Sequence, residues 1–501
     1  APLATYLRAY SLLKTKSLAE ASVSYQDFIS KWPNDMLLEP VLYQNGVANL
    51  MAGKYDDAAS SLERVLHYLP NFRTATPSMY LLGLSWMRTG NFAGASELFR
   101  SVLSEAPDFG LADRVMLAWG WAEFARGNYG IAEELFRGLP SRFPKTALLD
   151  SSLFFAAAAR YKRGMLDIAA TEFQRVPKLF PNSPLAAEAL LWAGVCEEKL
   201  NHPANAAALY GRSLQMGGSK HTRALAHYGI ARSEMSLMDV EAAGRALGAV
   251  IEEAPPESLA EQAYFWRGRF DYAAGLWASA QENLLKLASM SPPSPLADDA
   301  LFFAARAARN SSDFPRAIEM FQELGKRFPQ SPLLEQADIE AAQCMIEAGR
   351  AEEAARKFED FIKNNVGSLL RPMALYDMGR ALQRAGKFEQ AIEQYRAAEG
   401  GERTELAARA RFAIAECLTE LDRGPEAIAE LTSITRGGYS AGWAERAQLQ
   451  MARLLERNGQ KEEARHIYLA VSGTYKDDAA GIVAQRALTR LDSERTPALI
   501  R

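Results

Sequence analysis

FPNSPLAAEALLWAGVCEEKLNHPANAAALYGRSL, residues 180–214, contains Ala206, which has a counterpart 37 residues earlier at Ala169 and another 37 residues later at Ala243. A fixed period of this size is the mark of a repeat protein. Extended along the chain, it selects thirteen reference alanines: Ala21, Ala58, Ala95, Ala132, Ala169, Ala206, Ala243, Ala280, Ala317, Ala354, Ala391, Ala427 and Ala464. Only the step from Ala391 to Ala427 differs, at 36 residues. The chain therefore consists of thirteen repeats.

Other positions repeat with the reference alanines and are numbered here by their offset from them. Position −12 is always small: Ala9, Gly46, Gly83, Gly120, Ala157, Gly194, Ala231, Gly268, Ala305, Ala342, Gly379, Ala415 and Ala452. Position −5 is glycine in eight repeats: Gly53, Gly90, Gly127, Gly164, Gly275, Gly349, Gly386 and Gly459. Position +4 is large and apolar, as at Phe99 and Tyr210. Position +12 is proline in eight: Pro33, Pro70, Pro107, Pro144, Pro181, Pro255, Pro292 and Pro329.

These columns predict a helix, a tight turn, a second helix and a loop in every repeat. Glycine at −5 suits the left-handed residue that ends a helix, and proline at +12 cannot continue one. We expect the small residues at −12 and 0 to face each other across the helix pair. The large residue at +4 lies one turn from the reference alanine on the same helix face and is expected to fill the space between repeats.

The pattern resembles the tetratricopeptide repeat over residues 2–476. The residues that carry the resemblance in one repeat are Gly83, Gly90, Phe92, Ala95, Phe99 and Pro107. The usual unit has about 34 residues, and the extra residues here lie in linkers such as FPNSPLAAEA, residues 180–189. Such linkers are similar to those of bacterial envelope proteins of this class, such as the outer-membrane assembly lipoprotein BamD and the Tol-Pal coordinator.

The fold class that follows is all-α. The resemblance implies a right-handed superhelical α-solenoid whose first helices line a concave inner surface, with thirteen helix-turn-helix repeats. Residues 477–501 begin with the periodicity of one more amphipathic helix, which would cap the array. We divide the array into a front part of six repeats, residues 1–216, and a back part of seven, residues 217–476. The GGS loop at 217–219 is a candidate hinge between them.

The composition excludes only a few classes of function. The 501 residues are 48% hydrophobic and 24% charged with a net charge of −4, so no basic footprint for nucleic acid is present. No apolar run approaches the 18 to 20 or so residues of a membrane span. The sequence begins at Ala1 without a charged and apolar leader, which is compatible with a removed signal peptide or with a sequence that was simply trimmed.

The search for chemistry finds no phosphate loop, dinucleotide fingerprint, nucleophile elbow or zinc-protease motif. The acidic pair Glu133-Glu134 lies at the start of a second helix, where carboxylates favour the helix N-terminus. Cys196, Cys344 and Cys417 all occupy position −10 and are expected to fill the core. We therefore predict no enzyme activity, no cofactor and no metal.

Two columns of the first helices, −15 and −11, are candidates for partner binding. Position −15 is apolar or aromatic throughout, whereas −11 changes from apolar in the front part to mostly arginine in the back part. Arginine beside an aromatic ring four residues away could grip carboxylates and ring faces. The candidate residues are Tyr228, Arg232, Phe265, Arg269, Phe302, Arg306, Tyr376, Arg380 and Arg453. The alternative interpretation is that the aromatic residues pack helices together and the arginines form a solvated face.

The resemblance favours a non-enzymatic scaffold that binds a peptide segment or helix of another protein in its concave groove. It favours a periplasmic or outer-membrane-associated location in a bacterial envelope assembly. The alternatives are a cytoplasmic scaffold or regulator, and the repeat domain of a larger enzyme or of an exopolysaccharide secretion machine.

Overall fold

A computed structural model describes residues 1–68, 73–400, 404–475 and 478–495. Within these ranges the chain forms 27 helices and no strand. The helices are α1 (Pro2–Lys14), α2 (Leu18–Lys31), α3 (Leu38–Met51), α4 (Tyr55–Tyr68), α5 (Ala75–Thr89), α6 (Phe92–Glu105), α7 (Ala112–Ala125), α8 (Tyr129–Arg142), α9 (Leu149–Lys162), α10 (Leu166–Leu179), α11 (Ala186–Lys199), α12 (Pro203–Gln215), α13 (Lys220–Ser236), α14 (Val240–Glu252), α15 (Glu257–Ala273), α16 (Trp277–Ala288), α17 (Ala297–Asn310), α18 (Phe314–Arg327), α19 (Leu334–Glu347), α20 (Ala351–Asn364), α21 (Arg371–Arg384), α22 (Phe388–Ala398), α23 (Glu405–Glu420), α24 (Gly424–Arg436), α25 (Ala441–Arg457), α26 (Lys461–Thr474) and α27 (Ala479–Arg495).

The helices confirm the predicted α-solenoid of thirteen hairpins followed by one helix. The odd-numbered helices from α1 to α25 are the first helices of the repeats, the even-numbered ones are the second helices, and α27 follows the thirteenth hairpin. All thirteen reference alanines are 0% exposed. Residue contacts group the chain into two compact units, Ala1–Ala263 and Tyr264–Arg501, with the boundary inside α15. The division expected after residue 216 stays a prediction.

The small residue at −12 makes room for the large residue at +4 of its own hairpin. A Cβ added to Gly83 would lie 2.5 Å from the Phe99 ring, and one added to Gly194 would lie 2.6 Å from the Tyr210 ring. The Tyr210 ring also meets the next repeat, because a Cβ on Gly229 would lie 2.5 Å from it. The +4 residue was expected to fill the space between repeats, and it fills the space within the hairpin as well.

The turn inside each hairpin requires a left-handed residue at position −5 in every repeat. All eight predicted glycines have positive φ, between 74° and 88°. The other five repeats adopt the same conformation without glycine, at Lys16, Asn201, Met238, Ser312 and Asp422. Asparagine and aspartate tolerate this region, but a long side chain such as that of methionine is strained in it. The turn geometry is therefore set by helix packing and not by residue type.

Met238→Gly is expected to stabilise the protein by about 0.5 to 1 kcal/mol. Met238 has φ 64° and is 83% exposed, so the replacement removes backbone strain and loses little packing. Urea unfolding of the variant and wild type measures the difference. Met36, which is 92% exposed and does not have a positive φ, supplies the control Met36→Gly, for which no gain is expected. Equal stability of Met238→Gly and wild type would contradict the strain.

In the long linkers, a serine or threonine hydroxyl makes two hydrogen bonds that connect successive first helices. We call this pair of bonds the staple. The Ser183 hydroxyl donates to Asp150 Oδ2 at the start of α9 (2.5 Å) and accepts from the Leu185 N–H just before α11 (3.1 Å). Ser331 makes the same two bonds, to Asp298 Oδ2 (2.7 Å) and from the Leu333 N–H (3.3 Å). The staple recurs at Thr146 with Asp113, and at Ser368 with Glu335. The added linker residues therefore fix the position of the next first helix.

Buried polar pairs join position +1 of a second helix to position −9 of the next first helix in the unit Ala1–Ala263. The Ser22 hydroxyl donates to Asn49 Oδ1 (2.8 Å), and the Ser96 hydroxyl donates to Glu123. A third pair joins Glu133 Oε1 to Arg160 Nε at 2.8 Å. The residue types of the pair differ from one junction to the next. Each second helix therefore forms its buried pair only with the first helix that follows it in this chain.

Helix ends and cysteines follow the sequence expectations. The second helices end two to four residues before the proline at +12 wherever that proline is described, and Pro70 lies outside the described residues. The loop at 217–219 joins α12 to α13, with φ of 82° at Gly217 and 93° at Gly218; hinge motion there stays a prediction.

Cys196, Cys344 and Cys417 are buried and unpaired, which confirms their core position. Residues 476–477 and 496–501 lie outside the described ranges.

Candidate partner-binding surface on the first helices

The first helices form a face of their own within each unit, called here the first-helix face. In Ala1–Ala263, α1 contacts α3, α3 contacts α5, α5 contacts α7, and α11 contacts α13. In Tyr264–Arg501, successive first helices from α19 through α25 contact one another, and α25 contacts α27. Side chains at −15 and −11 are therefore close to the next first helix as well as to their own second helix.

The aromatic residues at −15 lie mainly in the core. Phe265 is 7% exposed and Phe302 is 2% exposed. The Phe302 ring packs against Phe321 at +4 of the same repeat, with 5.7 Å between centroids. Tyr376 packs against Tyr395 in the same way, at 5.4 Å. These rings support the helix pair, and their contribution to partner binding stays a prediction.

Most of the candidate arginines at −11 already contact carboxylates of neighbouring helices. Arg232 Nη2 lies 2.6 Å from Glu198 Oε1 of the preceding first helix. Arg306 Nε lies 3.4 Å from Glu340 Oε2 of the following first helix. Arg380 pairs with both Asp377, at 2.9 Å, and Glu347, at 3.2 Å. The arginine column is therefore part of a ladder of ion pairs, and an acidic partner would compete with these carboxylates.

Arg269 departs from the ladder. It forms no ion pair with any carboxylate within the described ranges, and its guanidinium lies 3.8 Å from the centroid of the Phe303 ring. Phe303 stands at −14, where the next two repeats have Glu340 and Asp377. Burial lowers the pKa of Arg269, and Asp299 opposes that shift. Arg269 is thus held by a cation–π contact in place of a carboxylate.

A groove with aromatic walls lies over α9, α11 and α13 and includes two of the candidate residues, Tyr228 and Arg232. Its volume is about 490 Å³, and we call it the Trp192 groove. The Trp192 ring meets the Tyr161 ring edge to face, with 5.4 Å between centroids. Val195 adds an aliphatic wall. An aromatic or aliphatic side chain of a partner would fit such walls.

The polar side of the Trp192 groove is a three-residue cluster. Glu198 accepts a hydrogen bond from the Tyr210 hydroxyl at 2.9 Å and pairs with Arg232. Burial raises the pKa of Tyr210, and the Glu198 charge raises it further, so the hydroxyl stays protonated and donates. The cluster is satisfied internally and can orient a polar backbone group beside the aromatic walls.

Sequence reasoning did not identify Tyr161, Trp192 or Glu198. The signal was present at fixed offsets: Tyr161 and Glu198 stand at −8 and Trp192 at −14, on the same helices as the columns considered. The acidic pair Glu133-Glu134 was expected to act on a helix N-terminus, but the Glu133 carboxylate instead pairs with Arg160 of the next repeat.

Two family models match the chain. The one described as tetratricopeptide repeat matches residues 43–108, 156–220 and 376–440. The one described as outer membrane lipoprotein (YfiO) matches residues 297–397. Among curated proteins, outer membrane protein assembly factor BamD of Xylella fastidiosa is 34% identical over 61 residues, which cover 12% of this chain and 21% of that protein. The match thus spans about a fifth of that relative's length.

Solved structures with a similar course of the chain include other helical repeat proteins. A tetratricopeptide repeat protein from Parabacteroides merdae is 16% identical, with a TM-score of 0.34, and the match covers 54% of this chain and 98% of that one. Yeast Tom70 is 14% identical, with a TM-score of 0.29, and the match covers 97% and 98%. Neither similarity bears on function.

Proposed function

We propose that this tetratricopeptide-repeat protein is a non-enzymatic scaffold that binds segments of other proteins, as part of a bacterial cell-envelope assembly. The repeat matches support the interaction role. The outer membrane lipoprotein match at residues 297–397 and the similarity to BamD support a periplasmic or outer-membrane-associated location. Among the described helices, none combines the length and the apolar character needed to cross a bilayer.

The observation that carries the proposal is the Trp192 groove. It presents the aromatic faces of Tyr161 and Trp192 beside a satisfied charged cluster, on the face that three successive first helices share. Apolar walls with a few placed polar groups are what a peptide side chain and its backbone require. We expect the occupant to be a partner segment with an aromatic or aliphatic anchor.

A photocrosslinking amino acid in place of Trp192 tests this proposal. We expect p-benzoylphenylalanine at 192 to trap a discrete partner band in cells of the source organism, in the envelope fraction. The matched control carries the same group at Ile168, which is 42% exposed on the second helix α10.

Crosslinks that are equal from both positions, or absent from position 192 in a variant that melts like wild type, would contradict the proposal. A partner found only in the cytoplasmic fraction would instead favour the cytoplasmic alternative.

A further inference from the structure

A second groove, over α25, α26 and α27, repeats the polar cluster of the Trp192 groove. Arg490 Nη2 lies 2.6 Å from Glu456 Oε1, and the Tyr468 hydroxyl donates to Glu456 Oε2 at 3.3 Å. These residues occupy the same repeat positions as Arg232, Glu198 and Tyr210 if the 37-residue period is continued into α27. The groove has a volume of about 660 Å³, and we call it the Arg486 groove.

The walls of the Arg486 groove differ from those of the Trp192 groove in charge. Arg453 stands where the Trp192 groove has Val195, and Arg486 stands where it has Tyr228. Arg457 replaces Lys199 and keeps the charge. The exchange therefore turns apolar and aromatic walls into guanidinium groups while the Glu-Tyr-Arg cluster is retained.

The two arginines that distinguish this groove, Arg453 and Arg486, are not neutralised by the described residues around it. Five basic side chains line it, Arg453, Arg457, Lys461, Arg486 and Arg490, and Arg457 pairs with Asp422 at 3.7 Å. Its single lining carboxylate, Glu456, is engaged by Arg490 and the Tyr468 hydroxyl. Arg453 and Arg486 are exposed and pair with no carboxylate in the part of the chain that the structure describes. These two guanidinium groups leave the groove with a positive surplus, although the whole chain carries −4.

We propose that the Arg486 groove is a second docking site, specific for an acidic segment of a partner protein. Arg453 on α25 and Arg486 on α27 lie on adjacent helices that line one groove, so carboxylates of an extended segment can reach both. Planar guanidinium groups bind carboxylates through two parallel hydrogen bonds. A membrane surface would instead favour basic residues spread over one flat face. This inference rests on the proposed scaffold function and adds a site and its ligand chemistry.

Fluorescence anisotropy with a labelled peptide that alternates glutamate and serine tests this site. We expect the protein to bind this peptide and not its glutamine counterpart. Arg453→Val with Arg486→Tyr, which installs the residues of the Trp192 groove, is expected to weaken binding roughly tenfold and to flatten its salt dependence. The matched control is Arg316→Val with Arg356→Tyr, two exposed arginines on second helices, and it is expected to bind like wild type.

Several results would overturn the inference. They are equal binding of the glutamate and glutamine peptides, an equal loss in both double variants, no binding of the acidic peptide, or binding to phosphatidylglycerol vesicles alone. If the groove variant melts below wild type, Arg453→Gln with Arg486→Gln takes its place, with the same expected loss. Crosslinking from position 192 is measured separately, so failure here is distinguishable from failure of the scaffold function.

Discussion

Glu133→Ala is expected to lower the free energy of unfolding by about 3 kcal/mol, because it leaves a buried guanidinium without its main carboxylate. Arg160 is 9% exposed, and its Nε lies 2.8 Å from Glu133 Oε1. Arg163 also donates to Glu133. Glu172, 3.2 Å from Arg160 Nη1, keeps part of the charge balanced, which holds the expected loss near the lower end of the range for broken buried pairs.

Urea unfolding at neutral pH measures this loss, and a double variant gives the control. Glu133→Leu with Arg160→Met removes both charges and is expected to recover most of the stability, since well-packed apolar residues can replace a buried ion pair. A Glu133→Ala variant as stable as wild type, or a double variant less stable than the single one, would contradict the assigned pairing.

The same pair predicts a pH dependence. Burial alone would raise the pKa of Glu133, but hydrogen bonds from Arg160 and Arg163 hold it below its ordinary value of 4.5. A carboxylate with a lowered pKa in the folded state contributes its stability above the unfolded pKa and loses it as the pH falls through the folded pKa. The difference between wild type and Glu133→Ala should therefore shrink as the pH falls below about 4.5.

Tyr210→Ala is expected to cost about 3 to 5 kcal/mol, because its ring fills a space that two glycines leave open. Tyr210 is 1% exposed, and the added Cβ of Gly194 or Gly229 would lie within 2.6 Å of it. Neither glycine has a side chain that could move into the cavity. The loss should appear in urea unfolding and as faster amide exchange in α11, α12 and α13.

Tyr210→Phe separates packing from the hydroxyl. It keeps the ring and removes only the hydrogen bond to Glu198, so a loss of about 1 kcal/mol is expected. Equal losses for the alanine and phenylalanine variants would show that the hydrogen bond, and not the filled space between the glycines, is the main contribution.

The hairpins could be predicted from sequence because the small and large residues that become buried recur at fixed offsets along the chain. Ala206 and its twelve counterparts are buried as that pattern requires. The left-handed turns at Lys16 and Met238 could not be predicted from residue type, since neither residue prefers that conformation. Their repeat position, where other repeats have glycine, was the available signal.

The binding surface was only partly predictable. Residues at −15, such as Phe302, were candidates for partner binding, with helix packing as the alternative, and Phe302 packs against the +4 residue and is buried. The pairing of Arg306 with Glu340 depends on how far one first helix is shifted along the next. The spacing of residues within one helix gives no information about this shift between helices. The arginines were therefore considered available to bind a partner.

The unequal buried pairs between repeats restrict how this array could change in length. If the segment from Leu149 to Leu185 were copied in tandem, Arg160 of the second copy would face Ala170 of the first copy. Ala170 occupies position +1 of its repeat, the position that Glu133 occupies in the repeat before it. A guanidinium would then be desolvated opposite a methyl group. We therefore expect tandem duplication at such a junction to lower stability, because each buried pair depends on the order of its two repeats.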